Sequence, residues 1–478
     1  VSFSLRVEHI EEPELEFGAG RHIDIRFGLM NYGPLDVGSA LARKQIRVGL
    51  VGTPDTIELA RRWLERCRRP IAAKPSRQPL LFPSFPGFRQ DAAFHATLVL
   101  EQVLERSISK RDFEELKRQG SAEMTIRGGV ELFRTEVEYL VRTIGVDVVI
   151  CAIPPEIAEL RDPANRHVKA GEPDPPDFHG LLKARCMEFG VPVQLMLPST
   201  ADPALARKMK IRDDTRSLQD DATRAWNFHT ALYYKAHGRP WRLRRDPSQL
   251  QTCFVGVSFY KSLDGTLMTS MAQVFDERGD GVVVRGGPVE LSKDDRTPHL
   301  SEADAGTLLA EALRQYRATH RTLPARVVLH KTSLFNAAER IGFRAALAQE
   351  RIDSGDLVVL GQRSSIRLFR YGQYPPLRGT LLTLDAREQV LYTRGSIPFY
   401  ATYPGMYVPD PLWIRCDDID STPRQIATEI LALTKMNWND TQSDGGDPIT
   451  VLAARRVGKI LKYVAPGQAI ADRYSFYM

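Results

Sequence analysis

The sequence predicts an α/β protein built from two sheets in tandem, a Rossmann-like parallel sheet followed by a mixed sheet of the RNase H type. Three observations predict it. Short apolar strands alternate with helical patterns from residue 46 onward. The run 147–153 is apolar without alternation after its first residue, as in a parallel strand buried on both faces. Past residue 246 that rhythm gives way to strands that meander before a helix and a further strand follow.

Residues 21–28 alternate apolar and polar side chains and read as a half-buried strand, followed by a turn at 31–34. Residues 1–45 form an N-terminal strand segment expected to pack on the body. A strand over 47–52 and a helix over 56–68 come next. Helical patterns follow over 92–105 and 110–119, with a longer one before the strand at 147–153. Residues 177–189 read as a helix and 191–197 as another strand. The βαβ rhythm sets a first domain at 46–245, and ligands of such a sheet bind beyond the carboxyl ends of its strands. The second domain, 246–478, opens with strands over 252–259, 266–275 and 281–285. A helix over 301–320 has Ser301 as its cap and an acidic first turn. Strands over 326–330, 356–360, 368–371 and 379–384 and helices over 423–435 and 449–463 complete it.

At 478 residues the chain is long enough for two or three domains. Hydrophobic residues make up 43% and charged residues 26%, the balance of a water-soluble protein. No stretch approaches the roughly 20 apolar residues needed to cross a bilayer, and no basic start followed by an apolar block suggests a secretory leader. Five scattered cysteines form no CxxC pair, which points to a cytoplasmic protein without a zinc site. The 65 basic and 59 acidic residues leave a net charge of +6. That leans toward a polyanionic partner, and a well-solvated arginine-rich surface accounts for it equally well.

Four residues stand out. Pro175-Pro176-Asp177 prepares a helix start with Asp177 as cap, and His179 and Lys183 then share one helical face. Gln194 sits inside an apolar strand, where an unpartnered amide costs ~1–3 kcal/mol. Lys235 closes the helix that begins near Asp221, and Gly238 reads as its stop. Singly, each has an ordinary explanation: a solvated helix face, a satisfied core amide, compensation of a helix dipole. Together, at the mouth of a parallel sheet, they make a phosphate-binding cup.

The later text resembles a known family. Residues 395–405 read GSIPFYATYPG, 433–439 read LTKMNWN, 447–450 read DPIT and 453–458 read AARRVG. These are similar to the C-terminal half of an Argonaute PIWI domain. Asn227-Phe228 with the stretch 231–241, ALYYKAHGRPW, is similar to the junction between the MID and PIWI domains. The resemblance covers roughly residues 45 to 478. It leaves no room upstream for N and PAZ domains and therefore implies the short, MID-PIWI-only prokaryotic class.

That resemblance implies a function. His179, Lys183, Gln194 and Lys235 stand where the family holds the 5′ phosphate of a guide, His replacing the commoner Tyr. Arg455 or Arg456 is expected at the same pocket, and Arg455 is carried as the candidate. Gln194 and the carboxylate of Met478 are expected to hold a structural Mg2+ there. Short Argonautes pair as heterodimers with an APAZ-containing effector, most often a sirtuin-like or TIR NADase and less often a nuclease. The implied activity is recognition of invading single-stranded DNA through a guide RNA, which releases the effector in abortive defence against plasmids or phage. A higher oligomer on activation is included in that expectation.

The nuclease of the family needs carboxylates on strand ends to hold two divalent metals. Ser258, in Gly256-Val257-Ser258, occupies the first aspartate position, and Thr332, in His330-Lys331-Thr332, occupies another. Asp264 reads as a hairpin-turn residue and Glu339 as displaced along a helix, so the chain is expected not to cut. Two other readings remain: an active guide-directed DNA endonuclease, and a Rossmann-type nucleotide-binding enzyme. The second lacks a GxGxxG turn, since Val48-Gly49-Leu50-Val51-Gly52-Thr53 is the only candidate.

Overall fold

A short ladder of N-terminal elements ties the two sheets together: β1 (Arg6–His9), β2 (Leu15–Glu16), β3 (Arg21–His22) and helix α1 (Ile25–Tyr32). The computed structural model describes residues 5–40, 42–118, 121–161, 175–202, 204, 219–244, 248, 250–275, 281–292, 296–361, 365–442, 445–465 and 467–478. The strand expected over 21–28 is corrected here. It stops at His22 because Asp24 caps α1, its carboxylate accepting from the Arg26 and Phe27 N–H groups at 2.8 and 2.9 Å. Gly33, at φ 67°, ends the helix as the turn signal requires.

The first sheet comprises β4 (Gln45–Gly52), β5 (Thr97–Val99), β6 (Glu105–Ser107), β7 (Val148–Ala152) and β8 (Val193–Met196). Its order is β5-β4-β7-β8, with β6 beside the far half of β4, and every pairing is parallel. All five residues of β7 are buried, as the unbroken apolar run demands. The longer helices described are α2 (Pro54–Cys67), α3 (Lys110–Arg118), α4 (Ala122–Tyr139), α5 (Phe178–Cys186) and α6 (Asp221–Lys235). The helix expected over 92–105 is not formed. That stretch lies along β4 instead, pairing Thr97 with Gln45 and Glu105 with Leu50, and pairing partners outweigh local propensity. Gly238 does close α6, its N–H bonding to the Tyr233 carbonyl at 2.9 Å, but the positive φ falls on His237.

β9 (Arg242–Leu243) pairs with β2, and the boundary expected between residues 245 and 246 lies outside the described residues. The second sheet holds β10 (Thr252–Lys261), β11 (Leu267–Phe275) and β12 (Val282–Pro288). β13 (Glu290–Leu291) and β14 (Pro298–His299) form a separate ribbon. Then come α7 (Glu302–His320), β15 (Arg326–Lys331), α8 (Ala337–Gln349), β16 (Ser354–Gly361), β17 (Thr380–Thr383), β18 (Glu388–Leu391), β19 (Leu412–Asp418), α9 (Pro423–Leu433) and α10 (Ile449–Leu461). The sheet order is β1-β17-β18-β19-β16-β15-β10-β11-β12, with β10, β15 and β16 parallel and the other pairs antiparallel. No strand forms over 368–371, where the Leu368 N–H instead donates to the Tyr392 hydroxyl at 2.6 Å. β18 and β19, unforeseen in the sequence, fill that part of the sheet.

Helix α10 lies directly on β10. A side chain at Gly256 would bring its Cβ to 2.1 Å from the Thr450 carbonyl oxygen, so only glycine admits the helix there. Glu12 fixes the N-terminal ladder to this half, its carboxylate held by Arg378 at 2.9 Å and Lys435 at 2.6 Å. All five cysteines are buried. Among the described residues no helix is long and apolar enough to cross a membrane.

Candidate functional site

Helix α5 begins where Asp177 accepts a hydrogen bond from the Gly180 N–H at 2.8 Å. The Asp177 N–H in turn donates to the Tyr463 hydroxyl at 2.7 Å, just past the end of α10. Gly180 permits that approach, since a Cβ there would meet the Tyr463 ring at 2.8 Å. Between these elements, at the carboxyl end of β8, lies a cavity of about 680 Å³. His179, Lys183, Gln194 and Lys235 all line it, so the four residues singled out in the sequence come together. Met478 also lines it and is buried along with Tyr474, Phe476 and Tyr477.

The charge in this cavity is unusual. Lys183 is 2% exposed, and its ammonium has no hydrogen-bond partner among the described residues. Burial holds its pKa well below that of an ordinary lysine, with repulsion from Lys235 and Arg456 adding to the effect and Asp177 opposing it. Lys235 is pushed down to about 7 by burial first and Arg456 second. Its ammonium donates to the Gln194 side-chain oxygen. Arg456 donates to the Asn437 side-chain oxygen at 3.1 Å and to the Tyr474 hydroxyl at 3.4 Å. Asp177 alone among the described lining residues has a carboxylate side chain, and it serves as the α5 cap. A buried donor left without a partner costs ~1–3 kcal/mol, and more when charged. An entering anion would remove that penalty. His179 stands exposed on the same wall.

Of the two residues expected to hold Mg2+ there, Gln194 has its side-chain oxygen engaged by Lys235, and Met478 lines the same cavity. Among the described residues no three His, Cys, Asp or Glu side chains gather in a way that could hold a metal.

The expectation for Arg455 is corrected. Its guanidinium turns to Asp447 at 3.0 Å, and Arg456 faces the cavity. Successive helix positions lie about 100° apart, so adjacent arginines serve different faces. Lys459 and Lys462 also line the cavity and were missed in the sequence. Their spacing of three from Arg456 onward along α10 is the signal that finds them.

A parallel sheet followed by this nine-stranded mixed sheet is the MID-PIWI architecture of Argonaute and Piwi structures. The chain has their fold. A structure of Clostridium butyricum Argonaute bound to a guide DNA and a 19-mer target DNA matches over 98% of this chain and 54% of its own, at 15% identity and a TM-score of 0.67. A crystal structure of Drosophila Piwi matches over 98% of this chain and 56% of its own, at 13% identity and a TM-score of 0.60. The chain thus spans about half the length of the structures it matches. No family model matches the sequence, and neither does any curated protein.

The PIWI sheet carries the second region of interest. The pairing of Val257 with Lys331 is the last between the parallel strands β10 and β15, so Ser258, still inside β10, comes next to Thr332, just past the end of β15. Ser258 is buried and Thr332 exposed. The nearby acids are engaged elsewhere. Glu339 is fully buried and pairs with the equally buried Lys331 at 2.5 Å. It also accepts from the Leu300 and Asn336 N–H groups at 2.9 and 3.0 Å, as part of the capping box of α8. Asp264 is exposed in the β10–β11 hairpin, accepting from the Thr266 N–H at 2.9 Å. His330 is buried with Nδ1 2.8 Å from the Thr450 hydroxyl, and burial pushes its pKa down to about 3.

Proposed function

We propose that this chain is a short Argonaute-type protein that binds the 5′-phosphorylated end of a guide RNA in the MID cavity, pairs it with single-stranded DNA and does not cut. The observation that carries this reading is Lys183, a buried ammonium with no hydrogen-bond partner among the described residues, beside Lys235 and Arg456. A terminal phosphate supplies both the charge and the acceptor oxygens that this cluster lacks. His179 on the wall is suited to stack on the first base. Mg2+ has no step in this reading.

The non-cutting half of the proposal rests on Ser258 and Thr332. Two neutral hydroxyls do not hold a pair of divalent metals, and the buried acid Glu339 neutralises Lys331. An active guide-directed endonuclease is the competing reading, and it requires Mg2+-dependent cleavage of a matched target by this chain alone. Signalling to an APAZ-containing NADase partner in cytoplasmic defence against plasmids or phage is carried by the family resemblance.

The test compares short RNA and DNA strands bearing either a 5′ phosphate or a 5′ hydroxyl. The phosphorylated RNA is expected to bind at least about tenfold more tightly than its hydroxyl counterpart, from charge-assisted hydrogen bonds of roughly 1.5–3 kcal/mol each. Lys183→Met with Lys235→Met should erase that difference. Equal affinity for the two 5′ ends in the wild type would overturn the reading, and a phosphate preference confined to DNA would change the guide. The Clostridium butyricum protein is bound to a guide DNA, so both sugars belong in the test.

A further inference from the structure

Lys183 combines properties that a surface lysine lacks. It is almost wholly buried, it lines a cavity of about 680 Å³, and its Nζ has no hydrogen-bond partner among the described residues. Burial, with Lys235 and Arg456 repelling it, holds its pKa well below that of an ordinary lysine. That displacement raises the share of neutral amine, which keeps a lone pair on Nζ and is the nucleophilic form of the side chain. Lys235 differs, because its Nζ is engaged by the Gln194 side-chain oxygen.

The surroundings select the electrophile. Ile153, Ile157 and Leu195 line the same cavity, so a small uncharged reagent enters without the cost of desolvating an ion. The product has to be an anion. Lys235 on α6 and Arg456 on α10 both repel a positive charge on Lys183, and Lys459 lines the cavity with them. His179 stands exposed on the wall, and the Asp177 carboxylate is occupied by the Gly180 N–H. Carbon dioxide meets both conditions, being neutral and apolar when it arrives and a carboxylate once bonded to nitrogen.

We propose that Lys183 is a carbamylation site that takes up carbon dioxide when the cavity is free of nucleic acid. The Nζ lone pair attacks the carbon, one C=O bond releases its electron pair onto oxygen, and Nζ gives up a proton to water. The product is a carbamate, an N–H bearing a carboxylate, whose oxygens accept from Lys235 and Arg456. One member of a group of like charges thereby becomes its counter-ion. Loss of carbon dioxide and return of the proton reverse the step, so no oxidant or second reactant is needed. Carbamate and 5′ phosphate draw on the same donors, which makes carbon dioxide a competitor of guide loading. That competition, though not the carbamate itself, rests on the reading of the cavity as a 5′-phosphate site.

The experiment places the full chain, stripped of nucleic acid, in mildly alkaline buffer with carbon-labelled bicarbonate, which supplies dissolved carbon dioxide. A carbamate carbon resonance stoichiometric with the chain is expected in the NMR spectrum. Trapping with a trialkyloxonium reagent, which esterifies the carbamate, should place the added group on Lys183 in the peptide map. Lys183→Arg keeps the positive charge, and the resonance should vanish in it. Lys183→Met is the second variant, and thermal melts verify the fold of each. No resonance in the wild type, a resonance that persists in both folded variants, or trapping on another residue overturns the site. Affinity for a 5′-phosphorylated RNA should fall about tenfold with carbon dioxide at tenfold its own dissociation constant, and recover when the gas is purged. A resonance that vanishes in Lys183→Arg but ignores saturating RNA leaves the carbamate standing and overturns the 5′-phosphate reading instead.

Discussion

Two strand-end regions of this chain each bury a lysine, and they treat it in opposite ways. In the PIWI half Lys331 is matched by Glu339 at 2.5 Å, and Glu339 is itself held by two backbone N–H groups. In the MID half Lys183 is buried to the same degree, yet it faces two further cations. The first arrangement is complete as it stands. The second is complete only with an anion present. A buried charge that the fold has already answered marks structure, and one left unanswered marks a place for a ligand.

The largest expected effect tests the matched side. Lys331→Met leaves Glu339 buried without its cation and should destabilise the protein by about 3–5 kcal/mol in urea unfolding. A change below about 1 kcal/mol would mean the pair is not what holds that corner. Lys183→Met tests the unmatched side and carries the opposite sign. Removing a cation without a partner should stabilise the ligand-free protein by roughly 1–3 kcal/mol. Two losses of similar size would erase the contrast.

Acid offers a third way to sharpen it, because protonating a buried imidazole creates an unmatched cation at will. Burial pushes His229 down to about 4 and His330 down to about 3, from an ordinary 6.5. Both are neutral when folded, so the unfolded chain binds more protons between those values and 6.5. The contribution of these two histidines to stability should therefore be constant above pH 6.5, fall as pH drops below it, and level off below about 3 to 4. His229→Phe, among the rings of Phe85 and Phe88, should flatten part of that fall in thermal melts at pH 4 to 6.5. The smallest expected effect is no effect: chelation with EDTA should leave the 5′-phosphate preference intact. Loss of the preference on chelation would show that the bound phosphate recruits a cation.

Much of the MID cavity was legible in the sequence because its parts are local. The Asp177 cap, the four-residue spacing of His179 and Lys183, and Lys235 at a helix end are all set by neighbours in the chain. The share contributed by α10 was not, because two adjacent arginines cannot be told apart until the helix has a face to bury. The strand missed over 97–99 and the helix missed at Ile25 have the same cause, since partners on β4 and a buried cap decide them. Glu339 was seen as displaced from the strand end. Its pairing with Lys331 became visible only once α8 was folded back against β15.

The Asp177–Tyr463 hydrogen bond carries one more consequence. The walls of the cavity come from both halves of the molecule, so whatever fills it acts as a rivet across their seam. Saturation at a hundredfold excess over Kd would add about 2.7 kcal/mol to the folded state. That gain would be felt first at the joint between the halves, and amide exchange in α5 and α10 would slow together when an oligonucleotide end is seated.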